Sequence, residues 1–226
     1  VLGVSQLSRN NERRPSREPQ LADLRECITG DCTIVDADSG KIVSINEIMS
    51  GTKVENVFAV NNNQRIVKRE LVDVWYVENK DVYKLTTKHK EYSIKCTDNH
   101  KFYNGERFIQ LSELYIGEHI ATPFNYKINS ILFWDQIASI EYIGKENVFN
   151  VQVLDDHNLF INNIMTANSG EIENSSDTVW MLDREDTYSN EAIGGTIDNY
   201  IKKNRNGPLA KIVIGYHKET FKMYNL

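Results

Sequence analysis

The chain has 226 residues with 40% hydrophobic content, enough for one large domain or two small ones with a sizeable core. Its net charge of −6 divides as +1 for residues 1–26 (five basic, four acidic), −5 for 27–168 (14 basic, 19 acidic) and −2 for 169–226 (seven basic, nine acidic), so no segment has the basic excess of charge-driven nucleic-acid binding. There is no apolar run of about 18 residues and no secretory layout at the start, and three cysteines (Cys27, Cys32, Cys96) form neither a disulfide framework nor a zinc-type double pair.

In chain order, residues 1–7 read as a buried strand and residues 9–19 as a charged loop with two prolines, leading into the amphiphilic segment 21–26. From residue 27 the rhythm changes to short strands and turns. Residues 33–35 and 41–43 read as strands, and Ser44 with Glu47 is a capping-box pattern for one helical turn ended by Gly51. Strand-like runs follow at 53–60, 65–77, 81–87 and 91–96. Asn104-Gly105, between 101–103 and 107–109, predicts a type I′ hairpin. Residues 111–115 read as a short helix and 124–135 as a loop. Strands at 137–143, 148–153, 159–161 and 164–166 close the pattern, with Asn162-Asn163 as the last tight turn. Short strands at this spacing predict a compact all-β domain. After residue 169 the rhythm is helix then strand, with strands expected at 178–182 and 211–216.

The residue types at the two ends of the all-β stretch carry chemistry. A thiol, Cys27, opens it; a carboxamide, Asn168, followed by a hydroxyl, Ser169, closes it. Three nucleophile types at two borders point to chemistry on the chain's own backbone. Deleting residues 27–168, which is 168 − 27 + 1 = 142 residues, joins Glu26 to Ser169 and leaves continuous helical text running into the apolar stretch 178–182. Cys32 and Cys96 read as buried small hydrophobes.

Cys27-Ile28-Thr29-Gly30-Asp31, Thr97-Asp98-Asn99-His100, the run from Val148 to Val153, and Asp156-His157-Asn158 through to Asn168 resemble, in order, the sequence blocks of the intein (Hint) family. The resemblance covers the whole insert and implies an all-β Hint domain. With 142 residues there is no room for a homing endonuclease, which larger family members carry near residues 124–130.

The resemblance implies a sequence of acyl transfers. The Cys27 thiol attacks the Glu26 carbonyl through a five-membered ring, a geometry whose effective molarity can reach roughly 10⁵ M. His100 assists the departing amide nitrogen and Thr97 holds the scissile amide. Ser169 takes the acyl group, and Asn168 cyclises to a succinimide and releases the insert. No cofactor is implied. The family pattern is broken twice: the residue before the terminal Asn, commonly His, is Ala167, and a common Asp is Asn150, which cannot accept a proton at neutral pH. His157 is the remaining imidazole for Asn cyclisation, with Asp156 or Asp155 as candidate stand-ins for the missing carboxylate. The expectation is splicing with slowed C-terminal cleavage. The alternatives are a splicing-inactive or cleavage-only Hint-type all-β module, or a hedgehog-like Hint domain, against which Asn168 and Ser169 argue.

The flanks resemble the C-terminal RecA-type ATPase domain of DnaB-family replicative helicases, on residues 4–9, the Arg/Pro loop, residues 21–26, residues 169–185, and the Lys203-x-Arg205 that precedes Asn206-Gly207-Pro208. The fold implied is thus an α/β RecA-like fragment (1–26 and 169–226) interrupted by the 27–168 mini-intein. Gln6 is implied as a nucleotide-sensing residue, with Lys203 and Arg205 reaching a neighbouring subunit's ATP. The resemblance also implies ATP and Mg and a homo-hexamer on single-stranded DNA with replication proteins; the lack of a long apolar run points to no membrane, and the richness in Asn, Ile and Lys suggests an AT-rich genome such as a plastid's, so the expected setting is cytoplasmic or plastid stroma. No Gly-x-x-x-x-Gly-Lys-Ser/Thr occurs, so the phosphate-cradling loop is expected elsewhere, in a longer precursor or a separately encoded piece.

Overall fold

The computed structural model describes residues 26–168, 176–183, 195–217, 220 and 222–225. By contact the chain divides into two units, with the described residues up to 168 in one and those from 176 onward in the other.

The first unit is built of twelve strands: β1 (Ile28–Thr29), β2 (Thr33–Val35), β3 (Ile42–Ser44), β4 (Asn56–Val60), β5 (Ile66–Thr87), β6 (Ser93–Cys96), β7 (Lys101–Tyr103), β8 (Phe108–Gln110), β9 (His119–Pro123), β10 (Leu132–Val153), β11 (Asn158–Ile161) and β12 (Ile164–Ala167). One sheet has the order β4-β5-β6-β1-β10-β9, with β5 also paired to β10. A second has the order β11-β12-β7-β8, and β2 and β3 form a hairpin of their own. Its main core gathers Ile28, Leu85, Ile94, Phe102, Ile137 and Leu159 from both larger sheets, with Ile34 from the β2–β3 hairpin. The helix α1 (Ile45–Met49) starts at Ser44 with both hydrogen bonds of the capping box, as its sequence predicts.

Three expectations give way. The runs 65–77 and 81–87 are one strand of 22 residues, β5, as are 137–143 and 148–153 in β10, and the two pair antiparallel from Ile137↔Thr87 to Val153↔Leu71. The polar stretches Glu78 to Lys80 and Lys145 to Asn147 mark a ladder whose faces are solvated, which sequence alone confuses with turns. Gly144, at φ 104°, takes up a register shift inside β10 without breaking it. The expected loop 124–135 ends earlier, because β10 begins at Leu132 and pairs with the unforeseen β9.

Asn104-Gly105 does not make a type I′ turn. Tyr103 pairs with Phe108, leaving a four-residue loop in which the Asn104 carboxamide oxygen accepts from the backbone N–H of Glu106 and Arg107, 3.1 Å each. Asn162-Asn163 is the tight turn expected, with φ positive at both residues (47° and 63°) between the paired Ile161 and Ile164.

The second unit is an antiparallel sheet of β13 (Thr178–Asp183), β14 (Thr196–Asn204), β15 (Ala210–His217) and β16 (Lys222–Asn225), in that order. The expected strands 178–182 and 211–216 are β13 and β15. Val179 and Met181 pack on Tyr200, while Trp180 and Leu182 face outward. The expected helix after residue 169 lies outside the described residues.

Candidate active site

β1 threads between two partners and so fixes Cys27. Ile28 pairs with Cys96 on β6 and with Phe149 on β10. Continuing both registers by one residue sets Cys27 opposite Thr97 on one side and Asn150 on the other. The Thr97 backbone N–H donates to the Cys27 carbonyl (3.0 Å), which anchors the first of these pairings. Cys27 is fully buried and packs against Val82 and Val148.

The amide nitrogen of Cys27 belongs to the Glu26–Cys27 peptide bond, and its N–H donates to Thr97 Oγ1 at 3.1 Å. That hydroxyl has one proton to give. It lies 2.7 Å from Asn99 Oδ1 and 3.3 Å from the Cys27 carbonyl oxygen, so the shorter bond, to Asn99, takes it. Asn99 thereby orients Thr97 as an acceptor for the Glu26–Cys27 amide. Its position inside the Thr-x-x-His motif was visible, but nothing in sequence distinguishes the two middle residues.

His100 is 3% exposed, stacks edge-on against Phe102 at 5.4 Å, and has no hydrogen-bond partner for either ring nitrogen among the described residues. Burial, with the Lys101 charge adding to it, lowers its pKa to about 3. The imidazole is therefore neutral at physiological pH, with one N–H to donate and one nitrogen to accept.

The other border meets the same segment. Thr166 on β12 pairs with Phe102 on β7, and continuing that register by two residues sets Asn168 opposite His100. Asn168 is 6% exposed; its backbone N–H donates to the His157 carbonyl (2.9 Å) and its side-chain Nδ2 to the Val153 carbonyl (2.8 Å). The first bond extends the Asn158↔Ala167 pairing of β11 and β12. His157 is exposed, with φ 51°, and the contact recorded to Asn168 is through its backbone.

Asn150 is completely buried, and neither amide atom has a partner among the described residues. Asp156 is engaged elsewhere: its Oδ2 lies 2.7 Å from Arg69 Nε on β5, out of line for a hydrogen bond, so the contact is charge on charge. Asp155, at 3.9 Å from the same guanidinium, is 68% exposed. Arg69 had no signature in sequence. A second cation, Lys101, lies 2.6 Å from Glu26 Oε1 and was also missed. The remaining cysteines are not placed for nucleophilic work: burial pushes the Cys32 thiol up to about 11 and raises Cys96 as well.

Of the flank residues, Lys203 lies on β14 opposite Val179, and Arg205 opens the β14–β15 turn with its Nη1 3.2 Å from Asp177 Oδ1. Gln6 and Ser169 lie outside the described residues.

Comparisons with known proteins give the family and the fold. The DnaB-like helicase C terminal domain family matches residues 1–225. The replicative DNA helicase DnaB of Synechocystis sp. is 35% identical over 147 residues, 64% of this chain and 16% of that protein. Its counterpart from Rhodothermus marinus is 37% identical over 127 residues, 54% of this chain and 13% of that protein. The chain thus spans well under a fifth of these relatives' length. A solved DnaB intein from Synechocystis sp. superposes with a TM-score of 0.58 at 33% identity, covering 64% of this chain and 99% of that one. The chain belongs to the DnaB-like helicase C-terminal domain family and carries within it a mainly β unit of the intein (Hint) fold.

Proposed function

We propose that residues 27–168 are a self-splicing intein that excises itself and joins Glu26 to Ser169, and that the joined flanks work as part of an ATP-dependent replicative DNA helicase. The observation that carries the splicing reading is the hydrogen bond from the Cys27 amide N–H to Thr97 Oγ1, which sets the Glu26–Cys27 peptide bond against the Thr-x-x-His segment; the Thr166↔Phe102 pairing leads the strand that ends beside Asn168 along the strand that follows that segment.

The Cys27 sulfur bonds to the Glu26 carbonyl carbon, the C–N bond to Cys27 breaks, and the thiol proton ends on the freed Cys27 amine. Thr97, accepting the amide N–H, fixes the plane of the bond under attack. His100, neutral and unpaired, relays the proton between sulfur and nitrogen. Ser169 oxygen then displaces the sulfur, moving residues 1–26 onto its side chain. Asn168 Nδ2 attacks its own carbonyl carbon, closing a succinimide as the bond to Ser169 breaks. The freed Ser169 amine takes the acyl group from its own oxygen, giving an 84-residue ligated fragment (226 − 142). The Val153 carbonyl holds one Nδ2 proton and so sets the carboxamide rotamer. Without an imidazole at Ala167, His157 is the residue we assign to polarise this last step.

The test is an Asn168→Ala chain exposed to dithiothreitol or hydroxylamine. Release of residues 1–26 from the wild-type Cys27 background, absent in Cys27→Ala, is the expected result; no release from either contradicts the reading. Ala167 and Asn150 favour a second reading, cleavage at the N-terminal border with little ligation, which would yield free residues 1–26 and few joined flanks.

For the spliced helicase, ATP with Mg, single-stranded DNA, replication proteins and a homo-hexamer follow from the family, with Gln6, Lys203 and Arg205 as nucleotide-facing residues. The chain holds no phosphate-cradling loop, so its own residues do not make an ATP site and no hydrolytic step is assigned to them. Arg205 would have to exchange Asp177 for phosphate. No described helix is long and apolar enough to cross a membrane. The cyanobacterial relative fits a cytoplasmic or plastid-stroma setting.

A further inference from the structure

We infer that Lys101 is the residue that selects the acyl donor: it forms a charged subsite for an acidic side chain at the position before Cys27, and this chain's Glu26 is its ligand. The inference rests on the splicing reading above and deepens it. Glu26 is the residue whose carbonyl is attacked. Its side chain is 8% exposed, and its Oε1 lies 2.6 Å from Lys101 Nζ, itself 28% exposed at the start of β7.

A carboxylate that far out of water needs a cation close by. The need is sharper here, because the Glu26 carbonyl oxygen gains negative charge as sulfur attacks, and an unneutralised carboxylate on the same residue would oppose it. Lys101 removes that opposition. It also completes a two-sided grip on the scissile bond: Thr97 takes the N–H on the amine side, Lys101 holds the side chain on the acyl side, and His100 lies between them in sequence. Thr97 and His100 lie in the turn joining β6 to β7 and Lys101 opens β7, so acyl-donor recognition and assistance to the leaving nitrogen share one short segment. A basic residue before Cys27 would set two cations together in this pocket, and an apolar one would leave Lys101 without its counter-charge.

The experiment uses the full chain carrying Asn168→Ala, which isolates the first acyl transfer, with the rate of dithiothreitol-induced release of residues 1–26 read by mass. Glu26→Lys and Lys101→Glu are expected each to slow release on the order of tenfold or more, because each leaves like charges together in a mostly buried site. The double reversal is expected to recover most of the loss. Lys101→Met, a variant of similar size, is expected to turn the preference at position 26 from Glu toward Gln. A merely structural lysine would move thermal stability without exchanging specificity, so melting temperatures are measured alongside. Single reversals within twofold of the parent, or a double reversal as slow as the product of the two singles, overturn the subsite while leaving splicing intact. No release from the parent overturns the splicing reading and the subsite together.

Discussion

The two borders of the insert are furnished differently. At Cys27 the Glu26–Cys27 amide is met by side chains: Thr97 Oγ1 on its nitrogen, Asn99 orienting Thr97, and Lys101 on the Glu26 carboxylate. At Asn168 the grip comes from backbone, through the carbonyls of His157 and Val153, and the residue before it is Ala167. Side-chain networks can be tuned to a charge that appears only in the transition state, whereas main-chain carbonyls mainly fix position. On the proposed mechanism, the first acyl transfer has the side-chain assistance and Asn168 cyclisation is expected to be the slow step.

The largest expected effect breaks the first border outright. Cys27→Ala removes the only nucleophile there, and no thioester, branched ester or ligated product should form while cyclisation at Asn168 persists. His100→Ala should lower thiol-induced release of residues 1–26 by about 10²-fold or more, the range of a positioned acid–base group, measured in the Asn168→Ala background. Because continuing the Thr166↔Phe102 pairing leads Asn168 toward His100, the substitution should slow release at the C-terminal border as well, as seen by mass in Cys27→Ala chains. A loss confined to one border would contradict its shared position.

Thr97→Val, which keeps shape and removes the acceptor, should slow the first transfer by about tenfold, in line with the 1–3 kcal/mol of leaving a buried N–H without its partner. The second border sharpens in the opposite direction. Ala167→His should speed cyclisation several-fold and leave the first transfer unchanged; complete loss of splicing would count against the assignment.

The remaining effect is on stability. Burial holds His100 neutral down to about pH 3, against an ordinary value of 6.5, so between those two values the unfolded chain binds the extra proton and the folded chain does not. Stability from this group is complete above pH 6.5 and declines as pH falls toward 3, at up to about 1.4 kcal/mol per pH unit. Urea midpoints of the Cys27→Ala, Asn168→Ala chain at pH 7, 6 and 5 should therefore fall more steeply than those of the same chain with His100→Gln. Parallel slopes would show that the ring protonates freely in the fold.

Legibility in sequence follows how local each cause is. The capping box at Ser44 and Glu47 and the turn at Asn162-Asn163 are settled within four residues, and both were readable. The border nucleophiles are nominated from sequence because the proposed chemistry requires particular residue types. The continuity of β5 and β10 was not, since two long strands supporting each other through solvent look like four short ones with polar turns between. Asn104 misled because its carboxamide closes a longer loop instead of accepting positive φ. Lys101 with Glu26, and Arg69 with Asp156, are 75 and 87 residues apart in sequence, so only the assembled sheets bring them together.

The most direct test of the central claim is the intact mass of the expressed 226-residue chain beside its Cys27→Ala, Asn168→Ala double variant. The account predicts an 84-residue ligated flank and a separate 142-residue insert ending in succinimide or Asn from the wild type, with the double variant whole. Two intact chains across varied pH and temperature would contradict it.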